Sequence, residues 1–281
     1  MLIKYDKYHA LRNDFIVIDL GQSRLTKRKL PGFTRRICDR RAGVGADGVL
    51  CLSKSRPTDG KIDVFNADGS WAEKSGNGLR IAGVHVHMKS GRRAAREYRF
   101  QTATSIDRVA IGRKTKRGFM VTVDLGQPVF ETSRVPVKSR RRYMINAPLS
   151  IGGVKLPVTC LSVGNPHTVL IVDDFDFDWH TLGAEIENHR SFPNRTNVEF
   201  VKIVSARKVE LADWERGAGA TGSSGTGAAA AVCAGVIMGL VDRRCQVVFE
   251  SGSLHVKWPE RSDNIELTGP VQKVTGGNFE V

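Results

Sequence analysis

The chain has 281 residues, 41% apolar and 26% charged, which suits one large or two modest domains with a full core and excludes a disordered chain. Its five cysteines are odd in number and contain no C-x-x-C pair, which argues against a disulfide framework or a zinc site and makes a reduced cytoplasm the expected compartment. The net charge of +14 gathers at Arg24–Arg36, Lys89–Arg99 and Lys138–Arg142; with no zinc finger, helix-turn-helix or aromatic RNA-binding strand beside it, it reads as a solvated surface attractive to small anions, with no specific nucleic-acid partner.

The opening residues, MLIKYDKYHALRNDF, have no apolar core of signal-peptide length. Short runs rich in Val, Ile and Phe, punctuated by Gly, Pro, Asp and Asn, predict strands at Phe15–Leu20, Gly48–Leu52, Lys61–Phe65, Phe119–Leu125, Thr168–Val172, Val198–Ile203, Gln246–Glu250 and Leu254–Trp258. Helices are predicted after two glycine-rich turns, at Gly78–Met88 and Gly227–Leu240. The low-polarity run Gly227–Val241 is Ala-rich and short for a bilayer, so it is expected as a buried helix and no membrane partner is expected. The mixture predicts α+β layers without strict βαβ alternation.

The chain repeats itself. Ser75-Gly76-Asn77-Gly78 precedes LRIAGVHVHM, and half the chain later Ser224-Gly225-Thr226-Gly227 precedes AAAAVCAGVIMGL. Each follows an acidic, glycine-bearing segment, Asn66–Glu73 or Asp213–Gly219, which points to two related halves. A helix start offers unpaired N–H groups and partial positive charge, and glycines let a ligand approach them. Two such starts could cradle one carboxylate and set a small side chain on each face of the adjacent carbon, the arrangement of a cofactor-free racemase. The plainer alternative is that Ser75 and Ser224 are ordinary helix caps.

The chain resembles the diaminopimelate epimerase family. The resemblance is carried in order by His9-Ala10-Leu11-Arg12-Asn13-Asp14-Phe15, Cys38-Asp39-Arg40, Gly43–Gly48, Phe65-Asn66-Ala67-Asp68-Gly69-Ser70 and Gly76–Arg80. It continues through Gly164-Asn165-Pro166-His167, Phe192–Val198, Glu215-Arg216-Gly217-Ala218-Gly219, Gly225-Thr226-Gly227 and Leu267-Thr268-Gly269-Pro270. It implies an α+β fold of two pseudo-symmetric domains, each a barrel-like sheet around a central helix, with the active site in the cleft between them. The expected boundaries are 1–128, rejoined by 270–281, and 129–269. It implies a cofactor-independent isomerase, a pyridoxal-phosphate-independent epimerase converting LL- to meso-diaminopimelate for lysine and cell-wall precursor synthesis. A cytoplasmic homodimer and an amino-acid substrate with a second amino and carboxylate end are further expectations of the family.

Carried across, the substrate-binding residues are Asn13, Asn66, Asn165, Asn197, Glu215 and Arg216 toward the distal end, and Gly76, Asn77, Gly225 and Thr226 around the reacting α-carboxylate. Arg suits a carboxylate, Asn donates without adding charge, and Glu neutralises an ammonium. The departure falls on the catalytic positions. The family places a cysteine before each of the two turns, and here those positions are Ser75 and Ser224. Serine is a far weaker acid than a thiol and needs a neighbouring base, for which Glu73, Glu215 and His167 are the candidates. Cys233, within the second helix, reads as core packing. Where the family usually reads E-T-x-A, this chain has Ala220-Thr221-Gly222-Ser223, and larger side chains at His9-Ala10 and Leu11-Arg12 stand where the family often has glycine.

Three readings of the serines stand open: a silent homologue that still binds a diamino diacid, a divergent isomerase acting on another substrate, and a serine-based epimerase. The remaining motifs have plain readings. His85 and His87 lie two apart on a helix and face different ways, so no metal is expected there. His167 could orient a site residue or be structural. Asp47 and Asp68 precede glycines and read as turns. Gly217-Ala218-Gly219 lacks a P-loop ending, and no dinucleotide fingerprint is present.

Overall fold

The computed structural model describes residues 1–23, 25–91, 95–103, 105–116, 118–260 and 263–280; of the basic clusters, Arg24, Arg92 and Arg93 lie outside the described residues. The chain divides into two units, Met1–Asp124 with Thr268–Val281, and Leu125–Leu267.

The first unit begins with a hairpin of β1 (Leu2–Ala10) and β2 (Asn13–Asp19), in which Ala10 faces Asn13 across a two-residue loop. Helix α1 (Leu30–Cys38) starts with Pro31, which its first turn accepts because that N–H would be unpaired anyway. Then come β3 (Gly48–Ser53), β4 (Gly60–Asn66), the two-residue β5 (Trp71–Ala72), α2 (Gly76–Ser90), β6 (Glu97–Gln101), β7 (Ile106–Lys114) and β8 (Phe119–Asp124). The pairing is antiparallel β1–β2, parallel β2–β3, antiparallel β3–β4, parallel β4–β6, then antiparallel β6–β7 and β7–β8. The last long strand, labelled β17 in chain order (Glu266–Glu280), pairs with both β8 and β1 and so closes a ring of eight strands. Inside it runs α2, which touches β1, β2, β3, β4, β7 and β8. A helix surrounded by strands must be buried on every face, and Gly76 through His85 are all buried.

The second unit repeats this order with β9 (Ala147–Ile151), β10 (Val154–Ser162), β11 (Pro166–Val172), α3 (Trp179–Glu187), β12 (Asn197–Ser205), β13 (Lys208–Glu215), β14 (Gly219–Ala220), α4 (Gly225–Ile237), β15 (Arg244–Phe249) and β16 (Gly252–Lys257). The ladder from β10 to β16 runs antiparallel, parallel, antiparallel, parallel, antiparallel, the same alternation as in the first unit. Helix α4 touches β10, β11, β12, β13, β15 and β16, and the run Ala228–Ala234 has at most 1% of its surface exposed. Small side chains let this helix lie among six strands, as the Ala-rich composition predicts, although it stops at Ile237, short of the expected Leu240. No helix among the described residues is long and apolar enough to cross a membrane.

The β1–β2 loop carries strain. Leu11 and Arg12 adopt φ of 52° and 68°, the left-handed pair of a type I′ turn, which favours Gly and Asn. Replacing Arg12 by glycine should raise stability by about 0.5–1 kcal/mol, the relieved strain exceeding the added unfolded-state entropy. The check is a higher urea midpoint at unchanged slope.

Candidate active site

Each predicted serine turn is a helix start. Ser75 caps α2 and accepts from the Gly78 N–H at 3.0 Å; Ser224 caps α4 and accepts from the Gly227 N–H at 3.1 Å. The capping reading is therefore met at both. The following glycines are set by space: a Cβ on Gly78 would lie 2.8 Å from Leu50 Cδ2, and one on Gly227 would lie 3.0 Å from Glu199 Oε1 and 3.1 Å from Ser224 Oγ. Ser224 is buried and Ser75 half-buried.

In the first unit Asn13 opens β2, Asn66 ends β4 and Asn77 lies in the first turn of α2. Asn77 Nδ2 donates to Asn13 Oδ1 at 2.9 Å, and Asn13 Nδ2 donates to Asp47 Oδ2 at 2.9 Å. Asp47 also takes Arg40 Nη2 at 2.7 Å, and Asp14 takes Arg40 at 2.9 Å and Lys7 at 2.8 Å. The two cations hold the Asp14 carboxyl below its usual range against the opposing effect of burial. Asn66 is exposed and donates to Ser70 Oγ at 2.9 Å. Glu73 is exposed and makes no hydrogen bond among the described residues, so the structure does not bring it to Ser75.

The second unit answers with a different set. Asn165, just before β11, donates to Thr226 Oγ1 at 3.4 Å, and its Oδ1 faces His167 Nε2 at 2.9 Å. The other nitrogen of His167 meets Glu199 Oε1 at 2.6 Å, with both side chains in the core. Asn197 is fully engaged at both ends, donating to Pro166 O at 2.8 Å and accepting the Arg216 N–H at 2.9 Å. The guanidinium of Arg216 donates to Asn194 O at 3.1 Å. The turn after Glu215 is fastened by Glu187, at the end of α3, which accepts from Gly217 N at 2.9 Å, Arg195 Nη1 at 3.0 Å and Trp214 Nε1 at 2.8 Å.

Around Ser224 stand Glu199, Asp213 and Glu215. The Thr221 hydroxyl lies 2.6 Å from Asp213 Oδ2 and also hydrogen-bonds with Glu215. Burial raises the Glu215 carboxyl, and the neighbouring Thr221 and Ser224 hydroxyls pull it back only in part. Burial, then the nearby Glu215 and Glu199, push Asp213 up to about 7. The folded state thus holds the Asp213 proton more tightly than the unfolded chain does, so this contribution to stability is complete below the ordinary carboxylate value and is lost as pH rises to about 7. Asp213→Asn should gain roughly 2–4 kcal/mol over the parent near pH 8 and much less near pH 4, as read by urea denaturation at the two pH values. A gain independent of pH would remove Asp213 as the source.

Sequence reasoning placed Asp47 and Asp68 in turns. Asp68 does cap one, accepting from Ser70 N at 2.8 Å, but Asp47 serves Asn13 and Arg40 as well. It did not single out Glu199, Asp213, Glu187 or Arg80, although a glutamate between Val198 and Phe200 in a buried strand was a visible signal. All five cysteines are free and buried, and burial raises every one, Cys245 to about 11 and Cys38 and Cys160 to about 12. None is poised as a thiolate base. His85 is buried against Tyr8 and lowered by burial to about 4, whereas His87 turns to Ala95 O and Tyr98.

A sequence model of the family described as diaminopimelate epimerase matches residues 5–131 and 159–274. The diaminopimelate epimerase of Pelotomaculum thermopropionicum is 37% identical over 276 residues, 98% of each chain. That of Gloeothece citriformis is 37% identical over 286 residues and the whole of both chains. Among solved structures, a Bacillus anthracis phenazine biosynthesis protein superposes with a TM-score of 0.72 at 13% identity over all of both chains. An Agrobacterium vitis hydroxyproline epimerase gives 0.70 at 13% identity, covering 99% of this chain and 91% of its own. These two likenesses bear on the fold.

Proposed function

The chain belongs to the diaminopimelate epimerase family, and from that premise we propose that it inverts one α-carbon of LL-diaminopimelate to give the meso form without a cofactor, with Ser75 and Ser224 in the acid and base positions. It is an isomerase of the racemase and epimerase type acting on amino acids. We place it in the cytoplasm, as a homodimer, in lysine and cell-wall precursor synthesis.

The observation that carries this reading is the Ser224 hydroxyl at the start of α4 with the raised carboxyl of Glu215, held by Thr221, close enough to feel it. A hydroxyl cannot remove an α-proton unaided, but here its own proton has an acceptor. Ser224 Oγ takes the α-proton as its hydroxyl proton passes to Glu215. The charge left on the substrate spreads into the α-carboxylate, which the N–H groups of a serine-capped helix start are suited to receive. Ser75 returns a proton from the opposite face and takes its replacement from water, which its half-buried position admits, while Glu215 gives up its proton to solvent and so neutralises the hydroxide left behind. Asn13, Asn66, Asn165, Asn197 and Arg216 hold the distal end, and Glu215 also neutralises the distal ammonium.

One observation favours a second reading, a silent protein that binds the diamino diacid. Among the described residues the Ser75 hydroxyl hydrogen-bonds to the Gly78 N–H and to no carboxylate. Proton NMR in D2O with LL- and meso-diaminopimelate, at high protein concentration, separates the two. Deuterium entering the α-position supports the epimerase. Its absence, with binding confirmed by calorimetry, leaves the silent binder.

A further inference from the structure

Arg80 is the largest side chain in the protein with no exposure, at 0%, and it lies one turn inside α2. Its Nη2 donates to Asn77 Oδ1, but its Nε and Nη1 have no hydrogen-bond partner among the described residues. Burial lowers its proton affinity to about 10, so at neutral pH the group stays charged, and it forms no ion pair among the described residues. A buried cation without an anion is costly.

What the charge does is visible in the chain of bonds it starts. Arginine only donates, so Asn77 must turn its oxygen to Arg80 and its NH2 away. Asn77 Nδ2 then reaches Asn13 Oδ1 at 2.9 Å, which turns the Asn13 NH2 to Asp47 at 2.9 Å. A fixed donor at one end and a fixed carboxylate at the other leave each amide a single orientation. The second unit has no such anchor: α4 carries Ala229 five residues after its serine, where α2 carries Arg80, and its Asn165 is oriented by His167.

We infer that Arg80 is a positioning residue that locks the side-chain amides of Asn77 and Asn13 for ligand binding, and that its uncompensated charge draws a substrate carboxylate to the start of α2. The locking follows from the bonds alone; the carboxylate rests on the function proposed above.

The test uses the full chain with Arg80→Met and Arg80→Lys, read by thermal melting without ligand, by side-chain amide NMR of Asn13 and Asn77, and by calorimetry with meso-diaminopimelate. The expected result for Arg80→Met is an unliganded melt at or above the parent's, since a buried charge is gone. It should also show displaced or broadened Asn13 and Asn77 amide signals and at least about tenfold weaker binding. Arg80→Lys keeps the charge without the fork and should fall between. Unchanged amide signals and parent-like affinity in Arg80→Met overturn the inference. So does a much lower melt with a binding loss that lysine does not reduce, which marks plain packing. Should Arg80→Met fail to fold, parent-like amides and affinity in Arg80→Lys overturn it equally. If the parent itself does not bind diaminopimelate, the proposed function fails, while the amide spectra still decide the locking.

Discussion

Converting both Ser75 and Ser224 to cysteine should raise α-proton exchange and epimerisation of diaminopimelate by about a thousandfold or more. A thiol of ordinary pKa near about 8.5 can be brought to a working thiolate at neutral pH by a helix start, whereas a hydroxyl cannot. Both residues cap helices, so each new sulfur would sit at the positive end of α2 or α4. Each positioned acid or base contributes roughly 10²–10⁴-fold, and two positions change together. The glycines at 78 and 227, held free of side chains by Leu50 and Glu199, leave the larger atoms their access. The measurement is the rate of deuterium entry and of LL-to-meso conversion in parent and double variant. A folded double variant that binds ligand and gains nothing would remove the acid and base roles from these positions.

Glu215→Gln should cost about a hundredfold or more in exchange, in the parent or in the double-cysteine background. The variant keeps the size of the side chain and its contact with Thr221, and removes the capacity to take a proton and to neutralise an ammonium. It carries a second signature. Glu215 is one of the charges that raise Asp213, so neutralising it should bring the Asp213 titration down from about 7. Exchange rates and carboxyl NMR titration on the same sample check both. Undiminished exchange would assign the proton of Ser224 to another acceptor, with the His167–Glu199 pair next in line.

The eight predicted strands and two predicted helices all stand in the structure, because each was a short apolar run between turn residues. What escaped had its signal diluted. Strand β1 sets Lys4 and Lys7 among its buried residues and buries Asp6 itself, and β13 carries Glu210 between buried positions and buries Asp213. Strand β17 contains Pro270, Gly276 and Gly277, residues that argue against a strand; its pairing to β1 and β8 is decided by partners at the far end of the chain. The site divides in the same way. The asparagines and the serine turns were legible as motifs. Arg80 and Asp213 were not, because an arginine or a carboxylate becomes informative only once it is known to be buried, and burial is a property of the whole ring around it.

That ring sets an order of assembly. Leu2 pairs with Glu280 and His9 with Gln272, so the first unit cannot close until its last strand has been synthesised. The second unit is one uninterrupted stretch, Leu125–Leu267, and has every strand it needs earlier. During translation the second unit can reach its native form while the first waits with α2 and the edge of β1 uncovered, exposed to premature pairing with other chains. Removing residues 268–280 should then leave a protein with one folded half and an open, aggregation-prone other, and the ribosome delivers that same species briefly each time the chain is made.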